Sequence, residues 1–426
     1  MSKTLADTAS GPEAVPSLSE TDAAPPAGIE RTPLKSWLAV GSMGVGTFAL
    51  VTSEFLPVGL LTHVAHDLNV TSGTAGLMLT LPGIVGAIAA PALAVGSGKL
   101  DRRIVLWILT ALMIATNALA VVAPNFPLML AGRLMLGISV GGFWAIASGL
   151  GNRLVQPQDV GKATSIIFAG ISLGTVLGVP AGTLIGEIAG WRAAFGVTAA
   201  LGGLLLLTQI LLLPPLPPTR AIKARDLPAL LRNPTARAGF LAIVFIVIGH
   251  FASYTYVTPF LKQIAGLDGT LITSLLLAYG VAGFIGNFIG GIQAAKNVRN
   301  TLTISVVLLT ASAVLFPIYG TTQIGATVLL ILWGLAFGGF PISLQTWMFK
   351  SAPEALESGS ALFVSTFQIF IAVGSAFGGW VVDGIGLSAT MILGGIIAGL
   401  AILSVWVSGR NPDASGVSVK DMPKGH

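Results

Sequence analysis

Cysteine is absent from this 426-residue chain, so disulfides, thiolate nucleophiles and cysteine-ligated metals are excluded. Charge is scarce. Asp, Glu, Lys and Arg supply 9% of the residues, against about 25% in a soluble domain. There are four histidines, one of them terminal, and no HExxH motif, no GxSxG motif and no pair of acids within one apolar run. The common metal and nucleophile constellations are therefore missing, and neither an enzyme nor a metal or cofactor site is expected. No run mixes Lys and Arg with aromatics as a nucleic-acid surface would. What remains is apolar: 54% hydrophobic residues and a mean hydropathy of +0.86, with 54 Gly and 24 Pro. This composition reads as an all-α polytopic membrane protein.

A spanning helix needs about 20 mostly apolar residues. Twelve such segments are predicted. They start near Trp37, Gly73, Ile104, Pro127, Ala163 and Trp191, then near Ala238, Leu271, Thr301, Gln323, Gly359 and Leu387. The expected organisation is a disordered tail over 1–35, a six-helix bundle over 36–213, a linker over 214–237, a second bundle over 238–408 and a tail over 409–426. The first tail is polar and Pro/Ala/Ser-rich and has no apolar stretch after its lysine, so it does not read as a signal peptide. With both tails in the cytoplasm, the inner loops carry Lys99, Arg102, Arg103, Arg153, Lys162, Lys296, Arg299 and Lys350. The linker adds Arg220, Lys223, Arg225, Arg232 and Arg237, while the outer loops hold only Arg192 and Lys262. That asymmetry predicts both termini inside.

The two halves repeat. GISVGGF begins at Gly137 and GLAFGGF at Gly334, an offset of 197 that also carries Gly83 to Gly280, Gly86 to Gly283, Lys99 to Lys296 and Arg102 to Arg299. An offset of 196 carries Gly178 to Gly374, Gly182 to Gly378, Glu187 to Asp383 and Gly190 to Gly386. A duplicated six-helix unit in one orientation is the parallel-repeat pattern of the major facilitator fold.

Against this background FALVTSEFLPVGLL, residues 48–61, stands out. Glu54 is the acid that lies well inside a segment, and Arg133 the base. At about 1.5 Å per residue they lie roughly 13 Å and 10 Å from the outer ends of segments 1 and 4. A lone ionised group at such depth costs at least about 2.5 kcal/mol, so a wet cavity or a partner is expected. Glu54 and Arg133 are the proton-coupling candidates, against the alternative of a static ion pair.

Segment 5 reads GISLGTVLGVPAGTLIGEIAGWR, with Gly174, Gly178 and Gly182 in a four-residue series around Pro180. The series leaves one helix face without side chains, which suits a packed seam between the halves. In GSGKLDRRIVL, Asp101 with Arg102 and Arg103 suits a cap or latch on the inner side, as well as a solvated loop. A central cavity between the halves is expected to draw on Asn117, Trp144, His250, Tyr254, Tyr256, Tyr279, Asn287, Trp333, Gln345, Trp347 and Gln368. That lining is neutral, aromatic and rich in amides. It suits an uncharged solute smaller than about 500 Da, a sugar or nucleoside ahead of an aromatic drug. The expected partners are that solute, protons and the lipid bilayer, with the chain acting as a monomer.

The motifs resemble a known family. VTSEFLPVGLLTHVAHDLNVTSGTAGLMLT, AGRLMLGISVGGFW, LGTVLGVPAGTLIGEIAGWR and GKLDRRIVL are similar to the first two helices, the helix 4 motif, the helix 5 antiporter motif and the helix 2–3 loop of the twelve-helix drug:proton antiporter branch of the major facilitator superfamily. The resemblance runs from about residue 36 to 408. GRLMLGISVGGFWAIASGLGNRLV looks most like bacterial purine-nucleoside efflux pumps, and GHFASYTYVTPFLKQIAGL most like arabinose and thiogalactoside efflux transporters. The helix 5 stretch is also similar to chloramphenicol exporters. The resemblance implies proton-driven export by alternating access, with Glu54 as protonation site. A multidrug exporter and an uptake symporter are the alternatives.

Overall fold

A computed structural model describes residues 32–96, 100–147, 150–217, 233–351, 356–407 and 412. Residues 1–31 of the expected first tail, 218–232 of the linker and all of the second tail but residue 412 lie outside the described residues, as does Lys99. Among the described residues, eleven helices are long and apolar enough to cross a bilayer. One of them, Gly269–Tyr319, has 51 residues. At about 1.5 Å per residue it would run about 77 Å, more than twice the thickness of the hydrocarbon core. Its backbone leaves helical geometry at Asn297, with φ −149° and ψ 90°. It therefore makes two passes, α8 (269–296) and α9 (298–319), and the passes among the described residues number twelve. The predicted starts at Leu271 and Thr301 imply a loop between them. The structure instead has a one-residue kink, where Asn297 Oδ1 accepts the Asn300 N–H at 3.0 Å.

The other passes are α1 (Leu34–Asp67), α2 (Ser72–Leu93), α3 (Arg102–Val122), α4 (Phe126–Ala147), α5 (Pro157–Ala189) and α6 (Trp191–Leu212). They continue with α7 (Pro234–Gln263), α10 (Gln323–Ser351), α11 (Leu356–Gly384) and α12 (Leu387–Val407). The few polar residues of the short connections act as helix caps. Thr71, Asp101, Asn233 and Asp268 each accept a backbone N–H at the start of α2, α3, α7 and α8.

α1 packs on α5 and α6, α2 on α4, and α3 on α4 and α6; α7 packs on α11 and α12, and α9 on α12. The first six passes meet the last six chiefly where α2 packs on α11 and α5 on α8, with a smaller contact of α1 on α7. The two main contacts are repeats of each other. A Cβ at Gly83 of α2 would lie 2.9 Å from the Ala372 methyl of α11, and one at Gly280 of α8 would lie 2.6 Å from Val176 Cα of α5. Gly280 is Gly83 moved by 197 positions, and Ala372 is Val176 moved by 196.

The joint is one-sided. Leu34 starts α1 on the side of the chain termini and Asp67 ends it on the other side, here called distal. One hydrophobic cluster joins distal residues of the first six passes, such as Leu60, Val64, Met78 and Trp191, to the last six. The part of the first six passes nearer the termini has its own cluster around Met43, Leu106, Leu109 and Leu136. Among the described residues, the hydrogen bonds that cross between the sets lie at the depth of Glu54 or distal to it. The two sets are thus fastened on the distal side.

Candidate functional site

Glu54 is 5% exposed on α1, where the passes meet. Its Oε1 accepts a hydrogen bond at 3.0 Å from Nε2 of Gln368 on α11, 314 positions away. Gln368 can reach because α2 is bare there: a Cβ at Gly83 would be 2.7 Å from the Gln368 carbonyl, and one at Gly86 would be 3.6 Å from its Nε2. Gln368 was expected in the cavity lining; the structure makes it the partner of the buried acid.

Arg133, 2% exposed on α4, forms no ion pair with Glu54. Its Nη1 donates to the Ser53 carbonyl at 2.8 Å, and its guanidinium lies 4.8 Å from the centroid of the Phe195 ring. Asn117 of α3 donates to the Ser53 hydroxyl at 2.8 Å and to the Met113 carbonyl at 2.7 Å. Arg133 and Asn117 thus pin the backbone and side chain of the residue preceding the acid. Both act on the scaffold of α1, and Asn117, expected in the cavity lining, is buried there against Ser53.

The other expected lining residues fall into six separate places. His250, Tyr254, Tyr279 and Trp333 come together, with Phe337, between α7, α8 and α10. Phe251 beside them stacks on Phe55, the neighbour of Glu54, with centroids 5.7 Å apart. Tyr256 sits in the distal joint, its hydroxyl donating to the Ser375 carbonyl at 2.9 Å. Trp347 packs at the termini side, where its Nε1 donates to the Thr235 carbonyl at 2.9 Å. Trp144 packs near the termini side, edge-on to Phe143 and tilted against Phe168. Asn287 is exposed on α8 and Gln345 half-buried on α10. The list is therefore not one lining, because residue type marks a side chain as amphipathic without saying which neighbour it meets.

The glycine series of α5 also lies elsewhere than expected. A Cβ at Gly174 would be 2.9 Å from Val51, one at Gly178 1.9 Å from Thr52 Oγ1, and one at Gly182 2.0 Å from Leu56. All three partners are on α1, so the bare face seats α1 within its own set of passes and is not the seam between sets. Just before Pro180 the helix widens to a π turn over Gly174–Gly178, a local unwinding that accommodates the missing proline N–H.

Asp101 both caps and latches. Its Oδ1 accepts from Arg103 N at 2.8 Å and from Leu216 N, past the end of α6, at 3.0 Å. The Arg102 N–H donates to the Leu216 carbonyl at 2.8 Å, and the Arg103 guanidinium lies 5.0 Å from the centroid of the Trp107 ring. The repeat-related Arg299 holds the Val405 carbonyl near the end of α12 at 3.0 and 3.2 Å.

Sequence reasoning missed the distal fastenings. Asp383 on α11 accepts from the Thr71 hydroxyl at 2.6 Å and from Gly73 N at 3.0 Å, capping α2 across the joint. Its repeat mate Glu187 on α5 covers Gly269 at the start of α8, within 2.3 Å of where a Cβ would be. Glu187 also lies 3.3 Å from His63 Nε2 and 3.8 Å from Lys262 Nζ. The signal was present in the shared 196 offset of Glu187 with Asp383 and of Gly73 with Gly269. A surface depression of 570 Å³ beside His63 and Lys262 shares no lining residue with the Glu54 or His250 groups.

Comparison with known proteins supplies the remaining observations. The family model for the Major Facilitator Superfamily matches residues 43–369. A purine ribonucleoside efflux pump NepI of Escherichia coli is 35% identical over 370 residues, 87% of this chain and 93% of that protein. The protein of the same name from Shigella flexneri is 34% identical over the same shares. A bacterial homologue of the human lysosomal transporter Spinster, in an inward-facing and occupied conformation, is similar in fold, with a TM-score of 0.73 at 14% identity over 90% of this chain and 98% of that one. A variant of the nucleoside transporter NupG gives a TM-score of 0.73 at 16% identity over 88% and 100%.

Proposed function

Because the chain belongs to the major facilitator superfamily and is a multi-pass membrane transporter, we propose that it exports purine ribonucleosides in exchange for protons. The observation that carries the coupling is the Glu54–Gln368 hydrogen bond, in which a buried carboxylate on one set of passes is held by an amide on the other. A change in Glu54 protonation alters a contact between the two sets, and a change in how the sets meet alters the surroundings of Glu54. That reciprocity is what an alternating-access antiporter requires.

With both termini in the cytoplasm, the distal fastening closes the outer side, and the protein takes up its substrate and Glu54 loses its proton from within. When the joint opens, Gln368 withdraws and the carboxylate meets the outer solution. One proton then enters for each neutral molecule that leaves. The coverage of the purine ribonucleoside pumps, 93% of their length at 35% identity, favours a nucleoside over a sugar or drug.

The test uses purified protein in vesicles loaded with labelled adenosine, guanosine or inosine and given an imposed proton gradient. Nucleoside movement that runs against the proton flow and stops with an uncoupler is the expected result. Transport indifferent to the gradient would remove the antiport reading.

A further inference from the structure

Two polar atoms in the aromatic cluster beside Glu54 have no partner. The His250 ring stacks on Phe337 at 4.7 Å and 19° and on Tyr254 at 5.2 Å and 17°, and Tyr254 stacks on Tyr279 at 4.8 Å and 23°. Trp333 Nε1–H donates to His250 Nδ1 at 3.1 Å. An imidazole that accepts at Nδ1 carries its proton on Nε2. His250 is 0% and Tyr279 1% exposed, yet neither the Nε2–H nor the Tyr279 hydroxyl has a hydrogen-bond partner. Buried polar atoms are normally paired, and leaving them unpaired is costly. Phenylalanine in place of Tyr279 would fill the same space without that cost, whereas in place of His250 it would exchange the unpaired Nε2–H for an unpaired Trp333 Nε1–H. Trp333 meanwhile fixes the tautomer of His250, which leaves the proton on the unpartnered Nε2.

We propose that His250 and Tyr279 form a recognition subsite for a planar heteroaromatic base, the purine ring of the nucleoside. This rests on the function proposed above and adds which part of the substrate is read, and by which passes. Flat π faces stack on aromatic side chains whatever the base, whereas a ribose offers hydroxyls and no such face. The Nε2–H supplies a donor to a ring nitrogen or exocyclic oxygen, and the Tyr279 hydroxyl supplies a second contact of either sense. Trp333 is a positioning residue that acts through the His250 tautomer. Phe337, half-buried and stacked on both His250 and Tyr254, is the ring that gives way on entry. The amide and carboxylate of Gln368 and Glu54 remain outside this subsite.

The experiment is equilibrium binding of labelled adenosine, guanosine and inosine to the purified full-length protein, with adenine, hypoxanthine and ribose as competitors. Tyr279→Phe, His250→Phe and Trp333→Phe are compared with the unmodified chain. Free bases are expected to compete and ribose not to. Tyr279→Phe and His250→Phe should each weaken binding about tenfold, with Trp333→Phe losing less. The ligand-free melting temperature of Tyr279→Phe should stay level or rise, since an unpaired buried hydroxyl is removed. Unchanged affinity in both Tyr279→Phe and His250→Phe would overturn the subsite, as would a melting temperature of Tyr279→Phe that falls together with binding. Competition by ribose and not by the bases would overturn it too, leaving nucleoside export standing. Failure of the unmodified chain to bind any nucleoside or base would remove both readings.

Discussion

Glu54 is tolerated at depth because it is not alone: Gln368 donates to it, and the residue before it is pinned by Arg133 and Asn117. Two predictions belong to this scale. Glu54→Gln keeps the shape and a hydrogen-bonding group but cannot carry a proton. It should therefore abolish gradient-driven export while leaving nucleoside-for-nucleoside exchange intact, as read by counterflow in vesicles. Full gradient-driven export by this variant would end the assignment of Glu54 as proton carrier. Gln368→Leu leaves the carboxylate without its donor. A hydrogen bond to a charged group contributes about 1.5–3 kcal/mol, so the initial export rate should fall at least about tenfold. An undiminished rate would show that the contact across the joint does not couple. The charge itself was legible in the sequence as a lone acid in an apolar run. Its partner was not, because glutamine is unremarkable in such a chain and the contact spans 314 positions.

At the scale of the element, α5 shows how far spacing reaches. A glycine every fourth residue identifies a bare face without naming its occupant, and the occupant is α1. A Cβ at Gly178 would stand 1.9 Å from Thr52 Oγ1, whereas one at Gly203 of α6 would meet nothing within 4 Å. Gly178→Ala should therefore destabilise the protein by about 1–3 kcal/mol through overpacking. Gly203→Ala should be neutral or stabilising by about 0.5–1 kcal/mol, as for any glycine in a helix interior. Thermal melting in detergent distinguishes them, and equal melting temperatures would contradict the close α1–α5 packing. Gly190 is unsuitable as the neutral control, since its φ of +84° strains any larger side chain whatever the free space.

For the whole molecule, the distal joint is the feature with consequences. Asp383 caps α2 from the opposite set of passes, and Ser375 within the joint donates to the Gly76 carbonyl at 3.0 Å. Removing the cap weakens the closed arrangement relative to the open one. The chain has no cysteine of its own, so a single Ser375→Cys reports on the joint without background. In an Asp383→Ala background its reaction with a membrane-impermeant maleimide added from the distal side should quicken about tenfold, the factor that 1.4 kcal/mol of lost closure sets. An unchanged labelling rate would show that Asp383 does not hold the joint.

The sequence by itself determined what depends on composition, period and local order. These are the twelve apolar passes, the duplication at offsets of 196 and 197, the two deep charges and the family. Only the tertiary structure decided which faces meet. It replaced the expected loop between α8 and α9 with a kink at Asn297, gave the α5 glycines to α1, divided eleven candidate lining residues among separate places, and exposed the paired fastenings of Glu187 and Asp383. The reason lies in the solvent. In water an apolar stripe points to the core, but in a bilayer a helix is apolar toward lipid and protein alike. Its sequence therefore records that it spans without recording what it touches.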